Sequence, residues 1–172
     1  MAASPDRGFA IAPAIARDIP EIARLFAAYE QHIGVDLSYQ GFADEVASLP
    51  GKYAPPLGQL LVARDRAASA IGCVALRPMS DARHCEMKRL FVAPEGRGLG
   101  LGRALAEAIL AEGARLGYAE LRLDTLPSMH DAIGLYRKLG FVSIAPYYAA
   151  PAGTIFLARR LDDLRVSGVA GL

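Results

Sequence analysis

Hydrophobic and polar residues follow two spacings along the chain, and these predict strands and helices in mixed order. Short apolar runs, several with every second residue apolar, predict strands, whereas apolar residues three or four positions apart predict helices with one buried face. Strands are predicted at Phe9–Ala14, Gly58–Asp65, Ala70–Met79, His84–Val92, Ala119–Thr125, Phe141–Ala145 and Thr154–Arg159. Helices are predicted at Asp18–Gln31, Ser38–Gly51, Gly100–Leu116 and Ser128–Gly140.

The order of these elements, β-α-α-β-β-β-α-β-α-β-β, is typical of an α/β (α+β) fold in which helices pack on the faces of a mixed sheet. Asp18, Ser38 and Ser128 are expected to cap the first, second and fourth helices, because their side chains can accept hydrogen bonds from free amides. Gly117 and Gly140 are expected to end the third and fourth helices.

The length and charge of the chain limit its class. Its 172 residues suffice for a single domain spanning 1–172, and we expect a core at about 9–161 with short flexible ends. The formal net charge is +1, and the basic residues are spread along the chain, which argues against a nucleic-acid partner.

The expected location of the protein in the cell rests on the first residues, on one uncharged segment and on the two cysteines. The first ten residues contain no apolar stretch, so we expect no signal peptide. The uncharged segment 140–158 is interrupted by prolines and a glycine, which favours strands around a loop over a membrane span. Cys73 and Cys85 lie in apolar strands without paired spacing and are expected to be buried, reduced thiols. A cytoplasmic protein without a membrane partner is therefore expected by default.

A glycine-rich loop precedes the third helix and reads GRGLGLGRAL. The free amides of a helix N-terminus favour phosphate, and glycine lets the backbone approach it closely. No Lys-Ser or Lys-Thr follows, so the loop is not a P-loop. A dinucleotide-binding fingerprint would require glycine where Leu101 or Arg103 stands, although Asp124 lies where a ribose-binding carboxylate is expected. The spacing [QR]-x-x-G-x-[GA] is filled by Arg97, Gly100 and Gly102.

Three linked segments carry a resemblance to a known family. They are EMKRLFVAPEGRGLGLGRAL, AELRLDT and AIGLYRKLGF, in this order and spacing. With them, nearly the whole chain resembles the GNAT superfamily of acetyl-CoA-dependent N-acetyltransferases. The resemblance implies a mixed, mostly antiparallel central sheet of about seven strands with about four helices on its faces.

The resemblance also implies how acetyl-CoA is held as the co-substrate. Amides of the glycine loop and the charges of Arg97 and Arg103 would bind its diphosphate, and its pantetheine arm would pair with the main chain of the preceding strand. The implied binding residues are Leu90, Phe91, Val92, Arg97, Gly98, Leu99, Gly100, Leu101, Gly102, Arg103 and Ser128. Many relatives have Asn where this chain has Met129, so Ser128 either contacts the pantetheine arm or only caps the helix.

Acetyl transfer to an amine needs a base for the ammonium and a proton donor for the departing thiolate. The resemblance assigns the donor to Tyr136, whose alternative role is core packing. Glu86 is the candidate base, because it precedes Arg97 at a spacing similar to that of the catalytic glutamate of histone-type relatives. An ion pair between Glu86 and Lys88, with the amine proton relayed through waters, is the alternative.

The resemblance implies that the acceptor lies near segment 29–40, Arg77 and the segment 146–148. The sequence offers no obvious acidic groove for a lysine-rich tail, so the expected acceptor is a small metabolite or an amino acid with a primary amine. The three histidines are scattered, so no metal is expected. The apolar composition allows a homodimer. Two other functions stay open: a non-catalytic acyl-CoA-binding or sensing module, and a dinucleotide-dependent oxidoreductase, which the glycine spacing disfavours.

Overall fold

A computed structural model describes residues 7–166 and shows a seven-stranded sheet in the order β1-β2-β3-β4-β5-β7-β6. The strands are β1 (Phe9–Pro13), β2 (Gln59–Asp65), β3 (Ala70–Pro78), β4 (His84–Val92), β5 (Glu120–Thr125), β6 (Val142–Ser143) and β7 (Ile155–Arg160). Only β4 and β5 pair in parallel, and every other pair in the sheet is antiparallel. The predicted mixed, mostly antiparallel sheet is confirmed.

Helices cover both faces of this sheet. They are α1 (Ile19–Ile33), α2 (Phe42–Ala47), α3 (Leu101–Arg115), α4 (His130–Lys138) and a short α5 (Asp162–Val166). One apolar core contains Leu105 and Ile109 of α3 and Tyr136 of α4. The other core contains Leu25 and Phe26 of α1 and Phe42 of α2, so α1 and α2 lie on the opposite face.

The ends of several elements differ from the sequence prediction. Ser38 begins a short 3-10 turn, and α2 begins after Gly41, whose positive φ of 69° bends the chain into the helix. Asp18 does not cap α1, because its carboxylate instead accepts the amide of Ile15 at 2.8 Å. Ser128 precedes the N-cap Met129 and makes no capping hydrogen bond, so its role as a helix cap is wrong.

Strands β4 and β5 pair only at their beginnings. The parallel register joins His84–Glu86 to Glu120–Arg122 and does not continue toward Val92 and Thr125. Residues from both strands line a cavity beyond that point, including Leu90 and Leu123. The two central strands therefore separate and leave a gap in the middle of the sheet.

A β-bulge in β4 lies beside this gap. The register with β3 shifts between the pairs Cys73↔Phe91 and Ala75↔Lys88. Within the bulge Arg89 has a φ of 60°, in the left-handed region that a non-glycine residue rarely adopts. Strain of this kind, on the order of 1–3 kcal/mol, persists where the surrounding structure holds it in place.

The structure also bears on the expected burial of the two cysteines and on the expected absence of a membrane-spanning helix. Cys73 and Cys85 are free and fully buried, and burial raises the pKa of each thiol to about 12. None of the helices within residues 7–166 is long and apolar enough to cross a bilayer.

Candidate active site

The glycine loop presents a row of unused amide groups. Gly98 and Gly100 have φ values of 78° and 73°, and α3 begins immediately after Gly100. Within residues 7–166, the amides from Gly98 to Arg103 donate no hydrogen bond, whereas the amide of Ala104 bonds the Gly100 carbonyl at 3.1 Å. A Cβ built on Gly98 or Gly100 would meet nothing within 4 Å, so the space in front of these amides is open. The loop and helix end form a cradle that fits a phosphate group.

A groove of about 720 Å³ runs along β4. Its lining brings together five of the eleven residues expected at the coenzyme site, namely Leu90, Phe91, Val92, Arg97 and Ser128. Arg97 is exposed, so its guanidinium is available to an anionic ligand. Arg103 is also exposed but pairs with Glu107 at 2.8 Å, so part of its charge is already compensated.

Leu99, Leu101 and Gly102 of the glycine loop would contact a ligand through backbone groups rather than side chains. Leu101 is buried in the core below α3, and Leu99 is exposed at 46%. Gly102 lies above Val92, whose Cγ2 would be 3.8 Å from an added Cβ. The amides of these residues, not their side chains, face the region that a ligand would occupy.

Tyr136 lines a second cavity, in the gap between β4 and β5. This cavity shares Tyr29, Ile33, Leu90 and Met129 with the groove, so the two spaces adjoin. Tyr136 is 6% exposed and packs its ring 5.5 Å from that of Phe141. Burial raises the pKa of Tyr136, and the neighbouring Tyr29 and Asp124 add to the rise. The phenol is therefore protonated at neutral pH and can donate a proton.

A chain of alternating charges crosses the gap between the strands. Arg77 Nη2 lies 2.7 Å from Glu86 Oε1, and Lys88 Nζ lies 3.7 Å from the same oxygen. Lys88 Nζ lies 2.9 Å from Asp124 Oδ1, and the Tyr148 hydroxyl donates to Asp124 Oδ2 at 3.0 Å. Each carboxylate in this chain is thus held between donors. Burial by itself would raise the pKa of Asp124, but the charge of Lys88 and the bond from Tyr148 outweigh it and lower that pKa.

Glu86 and Tyr136 lie in different cavities. Glu86 is 3% exposed and lines a cavity of about 270 Å³ together with Lys52, Arg77 and Tyr147. The carboxylate beside Tyr136 is instead Asp124. Lys88 is the bridge, because it contacts both carboxylates.

The bulged strand is fastened to α2 by a buried ion pair. Arg89 Nε and Nη2 donate to the two carboxylate oxygens of Glu45 at 2.8 and 3.1 Å. The guanidinium also lies 5.0 Å from the ring centre of Phe42 and 5.8 Å from that of Tyr29. A bidentate pair stacked between aromatic rings fixes the bulge against the α1–α2 side of the molecule.

The contact between Lys88 and Asp124 was not predicted from the sequence. The alternation in β4 places Lys88 on the same face as Glu86, and the alternation in β5 places Asp124 on the same face as Arg122. That β4 and β5 pair in parallel and then separate is the missing information, because only this geometry joins Lys88 to Asp124. Across residues 7–166, no group of three or more His, Cys, Asp or Glu side chains is arranged to hold a metal ion.

Comparison with known proteins shows which family this sequence matches. The sequence profile of the Acetyltransferase (GNAT) family matches residues 19–141. An uncharacterised N-acetyltransferase of Schizosaccharomyces pombe is 42% identical over 143 residues, which cover 83% of this chain and 88% of that protein. The IAA acetyltransferase of Azospirillum brasilense is 32% identical over 152 residues, covering 86% of this chain and 97% of that one.

The fold is also similar to solved structures. The crystal structure of an acetyltransferase of the GNAT family from Staphylococcus aureus superimposes with a TM-score of 0.74 at 18% identity. The match covers 89% of this chain and 99% of that chain. At this identity the likeness concerns the fold alone, and it matches the sheet described above.

Proposed function

Because the chain belongs to the GNAT acetyltransferase family, we propose that it moves an acetyl group from acetyl-CoA to the primary amine of a small molecule or amino acid. In this proposal Glu86 is the general base and Tyr136 the general acid of a direct attack by the amine. Acetyl-CoA supplies an acetyl group that is already activated as a thioester.

The side-by-side position of the groove along β4 and the cavity of Tyr136 carries this proposal. A long ligand that lies in the groove with its phosphates at the glycine loop has its other end directed into the gap between the strands. At that end lie a protonated phenol and a buried carboxylate.

The residues expected to hold acetyl-CoA fit it in three ways. The amides of Gly98–Arg103 would bind the diphosphate, assisted by the charge of Arg97. The main chain of Leu90, Phe91 and Val92 lies on the unpaired edge of β4 and would hydrogen-bond the pantetheine arm. Ser128 lines the opposite side of the groove, where its hydroxyl would contact the same arm.

Tyr136 would protonate the sulfur as the thiolate leaves. Its hydroxyl has a raised pKa, so the donor form is fully populated near pH 7. Its ring is fixed by Phe141, which keeps the hydroxyl directed into the cavity. A donor that is positioned in advance avoids the cost of reorganisation during the reaction.

Glu86 would receive the proton of the incoming amine. Arg77 and Lys88 lie 2.7 and 3.7 Å from its Oε1, and the cavity that it lines is separate from the coenzyme groove. An acceptor that enters through this cavity approaches the gap between the strands from the side opposite the coenzyme. The name IAA acetyltransferase, carried by a relative that this chain covers almost completely, supports an acceptor of small size.

Calorimetric titration with acetyl-CoA, followed by thiol-release assays with a panel of amines, tests this proposal. We expect saturable binding of acetyl-CoA and thiol release only when an amine is present. Tyr136→Phe should keep the dissociation constant for acetyl-CoA within about threefold and lower kcat about 100-fold, in the range of general acid catalysis.

Wild-type turnover by Tyr136→Phe would remove Tyr136 from the mechanism. Binding of acetyl-CoA without release of thiol for any amine would instead support the acyl-CoA-sensing alternative. Absence of any binding heat would overturn the acetyl-transfer proposal altogether.

A further inference from the structure

Two cavities adjoin on the side of the sheet from which the acceptor would enter. One is lined by Glu86, Ser80, Tyr147 and Tyr148, and the other by Gln40, Glu45 and Tyr53, among other residues. Both are lined by Lys52 and Arg77. Two cationic side chains therefore border both cavities.

Lys52 is a cation without a counter-charge. It lies in the 3-10 turn Gly51–Tyr53 and is exposed, and no carboxylate within residues 7–166 forms an ion pair with it. Arg77, by contrast, donates from its Nε and Nη2 groups to a single oxygen of Glu86. The cavity shared by Lys52, Arg77 and Glu86 thus carries one positive charge in excess.

Tyr147 adds a hydroxyl donor to this cavity, on the side where the carboxylate of Glu86 lies. Its hydroxyl is buried and has no hydrogen-bond partner within residues 7–166. Its ring is held 5.0 Å from that of Phe156 and lies under the guanidinium of Arg122 at 5.8 Å, so the position of the hydroxyl is fixed. Burial and the charge of Glu86 raise the pKa of Tyr147, which keeps the donor form populated.

A buried polar atom without a partner is costly, by about 1–3 kcal/mol, and this cost is removed if a ligand supplies the partner. The groups available around the cavity are an ammonium, a phenol and the hydroxyl of Ser80, all of which can donate. They match a ligand group that only accepts hydrogen bonds and carries negative charge.

We propose that this cavity binds the carboxylate of the acceptor, through Lys52 and Tyr147, and that the acceptor is therefore a free amino acid or a similar amino carboxylic acid. The inference rests on the proposed acetyl transfer and narrows its acceptor. The amine of such a molecule faces Glu86, while its carboxylate faces Lys52, so both ends meet the opposite charge.

The same arrangement disfavours an acceptor with a second ammonium group. Glu86 is already matched by Arg77 and Lys88, and Glu45 is matched by Arg89, so the carboxylates nearest Lys52 are compensated. A polyamine entering this cavity would meet Lys52 and Arg77 first. Like charges at short range are repulsive, and more so where the site excludes water.

Amino acids compared with their primary amides provide the test, because the two share the amine and the side chain and differ in the negative charge. With wild-type protein and acetyl-CoA, we expect kcat/KM for the preferred acid to exceed that for its amide at least tenfold. The amine of the amide is the less basic of the two, so a preference for the acid does not arise from the amine.

Three variants locate the effect. Lys52→Ala should lower kcat/KM for the acid about tenfold, through KM, and leave kcat/KM for the amide unchanged. Lys52→Arg should restore most of the preference, since it restores the charge. Lys138→Ala removes another exposed lysine, at the end of α4, and should alter neither substrate.

Equal use of acid and amide by wild-type protein would overturn the carboxylate site and leave the acetyl-transfer proposal standing. An equal loss for both substrates in Lys52→Ala would overturn it as well, because it would mean a structural role. Failure of wild-type protein to bind acetyl-CoA or to acetylate any amine would overturn both proposals together.

Discussion

Glu86 and Asp124 are two buried carboxylates that share one lysine, yet only Glu86 faces the cavity through which an acceptor would enter. Both lie within reach of Lys88 Nζ, at 3.7 Å for Glu86 and 2.9 Å for Asp124. Position therefore decides between them, and it favours Glu86 for the amine and Asp124 as the partner that orients Lys88 and Tyr148.

Glu86→Gln should lower kcat/KM by about 100-fold or more, because an amide cannot accept the amine proton. The measurement is a pH–rate profile for both proteins over the range in which each is folded.

Asp124→Asn is the matched comparison, since it removes a carboxylate from the other side of Lys88. If Asp124→Asn abolished turnover while Glu86→Gln stayed within about threefold of wild type, Asp124 would be the base and the assignment of Glu86 would be wrong.

Single residues also show what the sequence predicts and what it does not. The loop with Arg97, Gly100 and Gly102 and the position of Tyr136 follow from local motifs, and the structure places Arg97 and Tyr136 in adjoining cavities. Asp124 was visible only as a carboxylate at the end of a strand. Its contact with Lys88 depends on which strand lies beside β5, and no local pattern contains that information.

At the scale of elements, strands and long helices were predicted well because each keeps its periodicity over many residues. The second helix was not, since Gly41 begins it and its side-chain pattern is short. The strand expected at 141–145 shortens to Val142–Ser143 because β6 is an edge strand that pairs only with β7. The gap between β4 and β5 has no local signature either, because it arises from how two strands diverge.

The start of α3 gives a test at this scale. Gly100→Ala places a methyl group at a φ of 73°, in front of the open amides. We expect a loss of about 1 kcal/mol in the free energy of unfolding, from the left-handed backbone. We also expect at least a tenfold higher dissociation constant for acetyl-CoA by calorimetry, because the methyl group obstructs the cradle.

Gly117→Ala is the control, because Gly117 has a φ of 94° and lies just beyond the other end of α3, also with nothing within 4 Å of an added Cβ. It should cost similar stability and leave the affinity unchanged. Equal affinities for both variants would show that the amides of the loop do not bind the coenzyme.

For the whole molecule, the charges in the gap tie stability to pH. The folded protein has a lowered pKa for Asp124, so the stabilising contribution of this carboxylate is present above its unfolded pKa of about 3.9 and is lost as pH falls through the lower folded value. Removal of one partner of a buried ion pair typically costs about 3–5 kcal/mol at neutral pH.

Urea unfolding of wild-type protein and Asp124→Asn should therefore show a large difference in the free energy of unfolding at pH 7. This difference should narrow below about pH 4, as Asp124 of the wild type becomes protonated. Glu95→Gln, at an exposed carboxylate without an ion pair in the described part of the chain, should differ little from wild type at either pH. A constant difference for Asp124→Asn at all pH values would contradict the assigned lowering of its pKa.

The alternation of Arg77, Glu86, Lys88 and Asp124 through the interior also limits how such a protein can diversify. Replacing Glu86 or Lys88 alone leaves the neighbouring charge buried without its partner. During evolution these residues should therefore change together rather than one at a time. Lys52 forms no ion pair in the described part of the chain, so its replacement leaves no buried charge unpaired. New acceptor preferences should therefore arise first through changes at exposed positions such as Lys52, while Arg77, Glu86, Lys88 and Asp124 stay the same.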